Sequence, residues 1–204
     1  SKPPCHGNIA VMGAGSGLGH CCLIPSEGNA AVHYHHVPSE AGQSAFSFVG
    51  KAEKELEKFL LGRKNMGYCH NDSVVSGSGL SLIHEFRTGR HAGPEEINDK
   101  DEEFRETIKM FSGLYGRACR NYCLSSFVTQ ALIITGGVAV NIPGVVSSND
   151  FYREFTNSTT HKHILNKINI YLNPGVETGL LGCAYYGMSI KKERPGIRRG
   201  NLIY

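Results

Sequence analysis

The chain has 204 residues, 40 % of them hydrophobic, with 21 Lys+Arg against 18 Asp+Glu for a formal net charge of +3. That length suits one domain with a full core, and so small a charge gives no ground for a nucleic-acid partner. No stretch reads as a signal peptide or approaches the roughly 20 apolar residues of a membrane span, so a cytoplasmic chain without a membrane partner is expected, with glycosomal or other organellar import left open.

Glycine is the compositional outlier, at 25 of 204 residues where about 7 % is usual. The excess points to tight turns and backbone-lined sites. The seven cysteines form no Cys-x-x-Cys pair and no zinc-type spacing. Cys119 and Cys123 are four apart, on one helix face, where buried thiols act as small apolar residues. Reduced cysteines are the expectation.

In chain order, Ser1–Gly7 reads as a linker entering from an upstream domain. Ile9–Met12 and Cys21–Ile24 predict two strands joined by a glycine-dense turn with Gly13, Gly15, Gly17 and Gly19. Glycine at alternate positions lets backbone N–H groups approach a ligand closely, which suits phosphate, and Ser16 adds a hydroxyl. A plain hairpin between buried strands is the rival reading of that spacing. Ala31–His36 predicts a third edge strand, on which His33, His35 and His36 are read as surface residues. Two ligands from one strand face do not make a metal site. Pro38–Gln43 reads as a polar loop, and Lys51–Arg63 as an amphipathic helix with Leu56, Phe59 and Leu60 inward, ended by Gly62.

Val74-Val75 predicts a short strand running into the turn Ser76–Gly79, after which Leu80, Ile83 and Phe86 recur at helical spacing. Thr88–Asp99 reads as a polar loop of variable length. Asp101–Phe127 is the strongest helical pattern, stepping through Phe104, Ile108, Phe111, Leu114 and Tyr115, with acidic residues in its first turn where the helix dipole favours them. Leu132–Thr135 predicts a strand ending in Gly136-Gly137. Asp150–Phe155 follows as a short helix, Ile168–Leu172 as a strand and Thr178–Met188 as a small-residue helix. Beyond residue 190 a basic tail with Lys191, Lys192, Arg194, Arg198 and Arg199 is expected. A hairpin-rich front followed by alternating helix and strand predicts an α/β fold.

The three glycine turns, at Gly13–Gly19, Ser76–Gly79 and Gly136-Gly137, are each expected at a strand end, where they can line one cleft. The Walker A pattern is absent and the dinucleotide fingerprint fails, because from Gly13 the sixth position is Leu18 and from Gly15 it is His20. Phosphate contact through backbone N–H groups survives both tests.

These residues resemble a known family. Ala10–Gly19 resembles the second phosphate motif of bacterial-type glucokinases, members of the hexokinase/actin-like ATPase superfamily, with Ser16 where the family has threonine. Pro38–Gln43 is similar to the family's Pro-x-Glu-x-Gly-His sugar loop, and Asp72–Leu80 to its Glu-x-Val-x-Ser-Gly-x-Gly-Leu segment. Gly116-Arg117 with Asn121, then Ile133–Val138 as the adenosine motif, then Asn149–Phe155 and Gly179–Ala184, follow in the family's order.

The resemblance implies the large domain of an actin-like (ribonuclease H-like) ATPase over residues 8–190, with a mixed sheet flanked by helices. It implies transfer of the γ-phosphoryl of ATP, with Mg²⁺, to the 6-hydroxyl of glucose. Gly15, Ser16 and Gly17 would hold phosphates, Gly136 and Gly137 would face adenosine, and Glu40, Gln43 and Asp72 would meet the sugar. No metal ligand in the chain is implied. Gln43 replaces the family's histidine and Asp72 its glutamate, one methylene shorter. The first phosphate motif, Asp-x-Gly-Gly-Thr, and the Asn-Asp pair carrying the base have no counterpart, so a missing N-terminal small domain is expected and the chain alone is expected to be inactive. The alternatives are a non-catalytic sugar- or nucleotide-binding module and a kinase for another hexose. A homodimer through this domain is a further implication of the resemblance.

Overall fold

The computed structural model describes residues 6–27, 32–175 and 177–193. The linker up to residue 5, residue 31 of the predicted edge strand and the basic tail beyond residue 193 lie outside the described residues. The chain divides into a unit of residues 1–173 and a second of residues 174–204.

In the first unit, strand β1 (Asn8–Ala14) buries Ala10, Met12 and Ala14 at alternate positions, the period of a pleated strand with one face on a core. It pairs antiparallel with β2 (Leu18–Glu27), which pairs antiparallel with β3 (Val32–Ser39). β3 forms the predicted edge and runs further than expected, through Pro38 opposite Cys21. A proline without an N–H is tolerated there because the outer side of an edge strand needs no donor. Strands β4 (Val128–Thr135) and β5 (Asn169–Leu172) complete the sheet in the order β3-β2-β1-β4-β5, with β1–β4 and β4–β5 parallel. The result is the mixed, helix-flanked α/β sheet that the sequence predicts. Parallel pairing of Gly13 with Thr135 sets the C-terminal ends of β1 and β4 side by side, so the turns that follow them are neighbours.

Helix α1 (Gly50–Lys64) buries Leu56 and Leu60. It passes through Gly62 and stops at Asn65, whose φ of +48° is the left-handed cap conformation that asparagine tolerates. The predicted Val74-Val75 strand is instead a single helical turn, α2 (Asn71–Val74), leading into α3 (Gly77–Thr88). Two side-chain caps explain the difference. His70 accepts from the Ser73 N–H at 3.1 Å, and the Ser76 hydroxyl accepts from the Gly79 N–H at 3.2 Å. Each satisfies a helix-end donor that a strand would not leave open.

The long helix α4 (Arg105–Ser125) follows a 3₁₀ turn at Glu102–Phe104. Its buried face meets α7 (Asn149–Phe155) through a chain of rings, Phe111–Tyr115 at 5.9 Å, Tyr115–Phe151 at 5.8 Å and Phe151–Phe155 at 6.2 Å between centroids. Gly116 marks the crossing, because a Cβ there would collide with the Phe151 carbonyl. Next to it, buried Arg117 bridges α1 and α7. It donates to Glu53 Oε1 at 2.9 Å, Glu154 Oε2 at 3.0 Å and the Ser47 carbonyl at 3.0 Å. Shorter helices, α5 (Gly137–Asn141), α6 (Gly144–Ser147) and α8 (Lys162–Leu165), link β4 to β5 around α7. In the second unit the predicted C-terminal helix forms as α9 (Thr178–Glu193).

Candidate active site

The β1–β2 connection is a tight turn closed by the Gly15 N–H on the Gly17 carbonyl at 2.8 Å. Its apex, Ser16, is exposed. The Gly15 carbonyl accepts from the Gly77 N–H at 2.9 Å, which docks the turn on the N-terminus of α3. From the other side comes Gly136, with φ +92°, a conformation that glycine adopts freely. A Cβ on it would run into the backbone of Ala14. All three glycine segments therefore converge, although the middle one begins a helix rather than ending a strand.

They open onto one cleft of about 960 Å³, within the range of small-molecule sites. Gly15, Ser16, Gly77, Ser78 and Gly137 form one wall. Leu80, Ser81, Val138, Asn141 and Ile142 make an apolar floor with scattered polar groups, and His91, Gly93, Pro94 and Glu95 close the far side. The Ser81 hydroxyl is buried without a hydrogen-bond partner among the described residues. The twelve-residue α3 presents its positive dipole end at Ser76–Ser78, the polarity that receives an anion.

The predicted sugar residues lie outside this cleft, on the other side of the turn. Glu40 and Gln43 are exposed, the first capping and the second ending a 3₁₀ turn at Ala41–Gln43. That turn is pinned to α2, because Asn71 donates from its backbone N–H to the Ser44 carbonyl at 2.9 Å and from Nδ2 to the Ala41 carbonyl at 3.0 Å. Asp72, half-buried, accepts the Leu18 N–H on Oδ1. Gly17 also belongs to this side, since a Cβ on it would meet the Asp72 carboxylate.

Two titratable groups bracket Asp72. Burial lowers the Lys64 pKa, partly offset by the charge of Asp72, and the ammonium donates to the Ser78 hydroxyl at 2.9 Å on the cleft wall. Burial likewise lowers the His20 pKa against the opposing pull of its hydrogen bond to the Leu18 carbonyl, 3.1 Å from Nδ1, and of Asp72. Nδ1 carries the proton in that contact. Cys119 and Cys123 are buried as expected, and burial pushes the Cys123 thiol up to about 12, which leaves it unreactive.

A glucokinase family model matches residues 1–190. The chain belongs to the glucokinase family. The glucokinase of Nostoc punctiforme is 28 % identical over 214 residues, an alignment covering 90 % of this chain and 62 % of that protein. Among solved structures, a glucokinase from an Antarctic psychrotroph superposes with a TM-score of 0.75 at 20 % identity, covering 93 % of this chain and 60 % of that one. A glucokinase from Balamuthia mandrillaris, solved in complex with glucose, gives a TM-score of 0.73 at 19 % identity, covering 87 % and 53 % respectively. The chain spans about three-fifths of the length of the curated relatives it matches.

Within that family frame, Gly15, Ser16 and Gly137 line the cleft, while Gly136 and Gly17 do not, the first packing on the Ala14 backbone and the second lying against Asp72. Sequence reasoning missed the far wall, because Thr88–Asp99 reads as a polar loop. Its apolar residues were the available signal, since Ala92 and Ile97 are buried and hold the loop in place. Pro94 lies within 3.3 Å of a Cβ position on Gly77.

Proposed function

We propose that this chain is the nucleotide-binding half of an ATP:hexose phosphotransferase, taking glucose at its 6-hydroxyl. The observation that carries the reading is the convergence of three glycine segments on one cleft. Backbone donors and a helix N-terminus meet there, and Glu95 is the one carboxylate residue lining the cleft among the described residues. Phosphoryl transfer asks mainly for positioning and charge stabilisation of a loose transition state. On this reading the Gly15–Gly17 turn and the start of α3 receive the phosphates, and the lining toward Asn141 and Ile142 takes the base. Mg²⁺ enters as part of the nucleotide substrate. It keeps several waters and needs only one or two protein carboxylates, so it demands no cage of side chains.

Glu40, Gln43 and Asp72 would meet the sugar, a carboxylate being suited to accept from vicinal hydroxyls. Gln43 keeps a donor but cannot titrate, and Asp72 is shorter than the family's glutamate, so the preference for glucose is relaxed. The aspartate that takes the proton from the 6-hydroxyl is supplied from outside these 204 residues, on a small domain closing over the cleft. The protein acts in the cytoplasm.

Calorimetry of the 204-residue chain with Mg·ATP, glucose and mannose tests the reading. Saturable nucleotide binding is expected, with little discrimination between the sugars. A coupled assay should find no turnover. Turnover by this chain alone would refute the external base, and absence of nucleotide binding would refute the cleft assignment.

A further inference from the structure

The segment His70–Gly77 touches both halves of the proposed site within eight residues. At its start, His70 bridges to Ala45 and Asn71 holds Ala41 and Ser44, fixing the sugar loop. At its end, the Gly77 N–H holds the Gly15 carbonyl at 2.9 Å, fixing the entry of the phosphate turn. Between them Asp72 takes the Leu18 N–H, at the exit of the same turn. The turn is thus gripped at both ends by one short piece of chain. Glycines clear the space for this. A Cβ at 17 would strike the Asp72 carboxylate, and a Cβ at 42 would strike the Leu18 carbonyl.

We propose that Asp72 is a positioning residue that fixes the exit of the phosphate turn through Leu18, so that sugar loop and phosphate turn are held in one register. Oδ1 does this, and Oδ2, which enters none of the described hydrogen bonds, is left for the sugar. An ionised acceptor suits the task because N–H···O⁻ bonds are about twice as strong as neutral ones. It does so at an electrostatic disadvantage, since a carboxylate beside a phosphate site repels the ligand. That opposition makes the two possible roles separable. If Asp72 acted on nucleotide only through its charge, removing the charge would tighten binding. If it acts by holding Leu18, removing the acceptor weakens it.

The consequence for nucleotide rests on the cleft reading above, but the grip on Leu18 does not, and the experiment reads both. In the 204-residue chain, hydrogen exchange at the Leu18 amide and Mg·ATP affinity are measured for wild type, Asp72→Asn and Asp72→Ala. Asparagine keeps an Oδ1 acceptor without the charge. Expected is a Leu18 amide protected in wild type and, by a weaker neutral acceptor, less strongly in Asp72→Asn, where the lost repulsion offsets the weaker grip and keeps nucleotide affinity within about two-fold of wild type. In Asp72→Ala exchange is faster and affinity weaker, each by about ten-fold or more, the scale of losing a hydrogen bond to a charged group.

Equal Leu18 exchange in all three, or Mg·ATP binding to Asp72→Ala as tight as wild type, overturns the proposal. If Asp72→Ala does not fold, Asp72→Asn decides, because loss of Leu18 protection in that folded variant is equally fatal. If wild type binds no nucleotide, the cleft reading fails while the Leu18 amide still tests the grip.

Discussion

The Arg117 junction and the Asp72 junction both tie together segments far apart in sequence, and they do so by opposite means. Around Arg117 the contacts are side chain to side chain. One guanidinium is shared by Glu53 and Glu154, with Arg120 donating to the Glu154 carbonyl at 3.1 Å. Burial presses the Arg117 pKa down, but the hydrogen bonds and charges of Glu53 and Glu154 outweigh it, and the group ends with its pKa raised. Around Asp72 the contacts are mostly backbone, with one carboxylate and glycines whose missing side chains are the design. The first arrangement spends its polar groups on each other and supports the α1–α4–α7 layer. The second leaves a helix N-terminus and a serine hydroxyl facing a cleft. A junction made for stability saturates its donors, whereas one made for binding leaves some unspent.

The sharpest way to break this contrast is at Arg117. Arg117→Met leaves Glu53 without its guanidinium and Glu154 with only the longer Arg120 contact at 3.8 Å, and removal of one partner from a buried ion pair costs about 3–5 kcal/mol. Urea denaturation should read that loss, and a change below about 1 kcal/mol, the median worth of surface pairs, would put Arg117 with them.

At the cleft, Gly136→Ala attacks backbone instead of charge. A φ of +92° costs a non-glycine residue about 1–3 kcal/mol, to which the collision with Ala14 is added. Thermal unfolding should report the destabilisation. An alanine variant of wild-type stability would mean that the β1–β4 ends can separate freely.

The smallest effect expected is a pH dependence confined to the Asp72 side, since no histidine contacts Arg117 among the described residues. Burial holds the folded-state pKa of His20 below the ordinary 6.5 of the unfolded chain, so the unfolded chain binds its proton more readily. Its contribution is fully present above pH 6.5 and is lost as pH falls through the lowered folded value. His20→Gln should flatten that part of the stability profile between about pH 7 and pH 5, and a profile identical to wild type would remove His20 from the junction's energetics.

What was legible in the sequence was local. The β1–β2 hairpin, the stripe of α4 and the glycine turn follow from spacing over a few residues, and the structure carries all three. Val74-Val75 was not legible, because a short apolar run between caps has no period of its own. His70 and Ser76 settled it through bonds to Ser73 and Gly79. The cleft's far wall was hidden for another reason. His91 and Glu95 look like solvent-facing loop residues, and only the burial of Ala92 and Ile97 brings them to the site. The Asp72–Leu18 bond joins residues 54 apart, and no local pattern announces it. The family resemblance implies a sugar contact for Asp72; its grip on the hairpin exists only in the folded chain.

The parallel pairing of β1 with β4 has a kinetic consequence. Val11 and Ile133 are register partners although 122 residues (133 − 11) separate them, and contacts of such separation form slowly because loop closure comes first. Gly15 and Gly137 come to line one cleft only once that closure is complete, so a partly folded chain offers no such cleft to any ligand. Ligand can hold the finished domain together, by mass action on the folded state alone, but it cannot hurry the chain toward it.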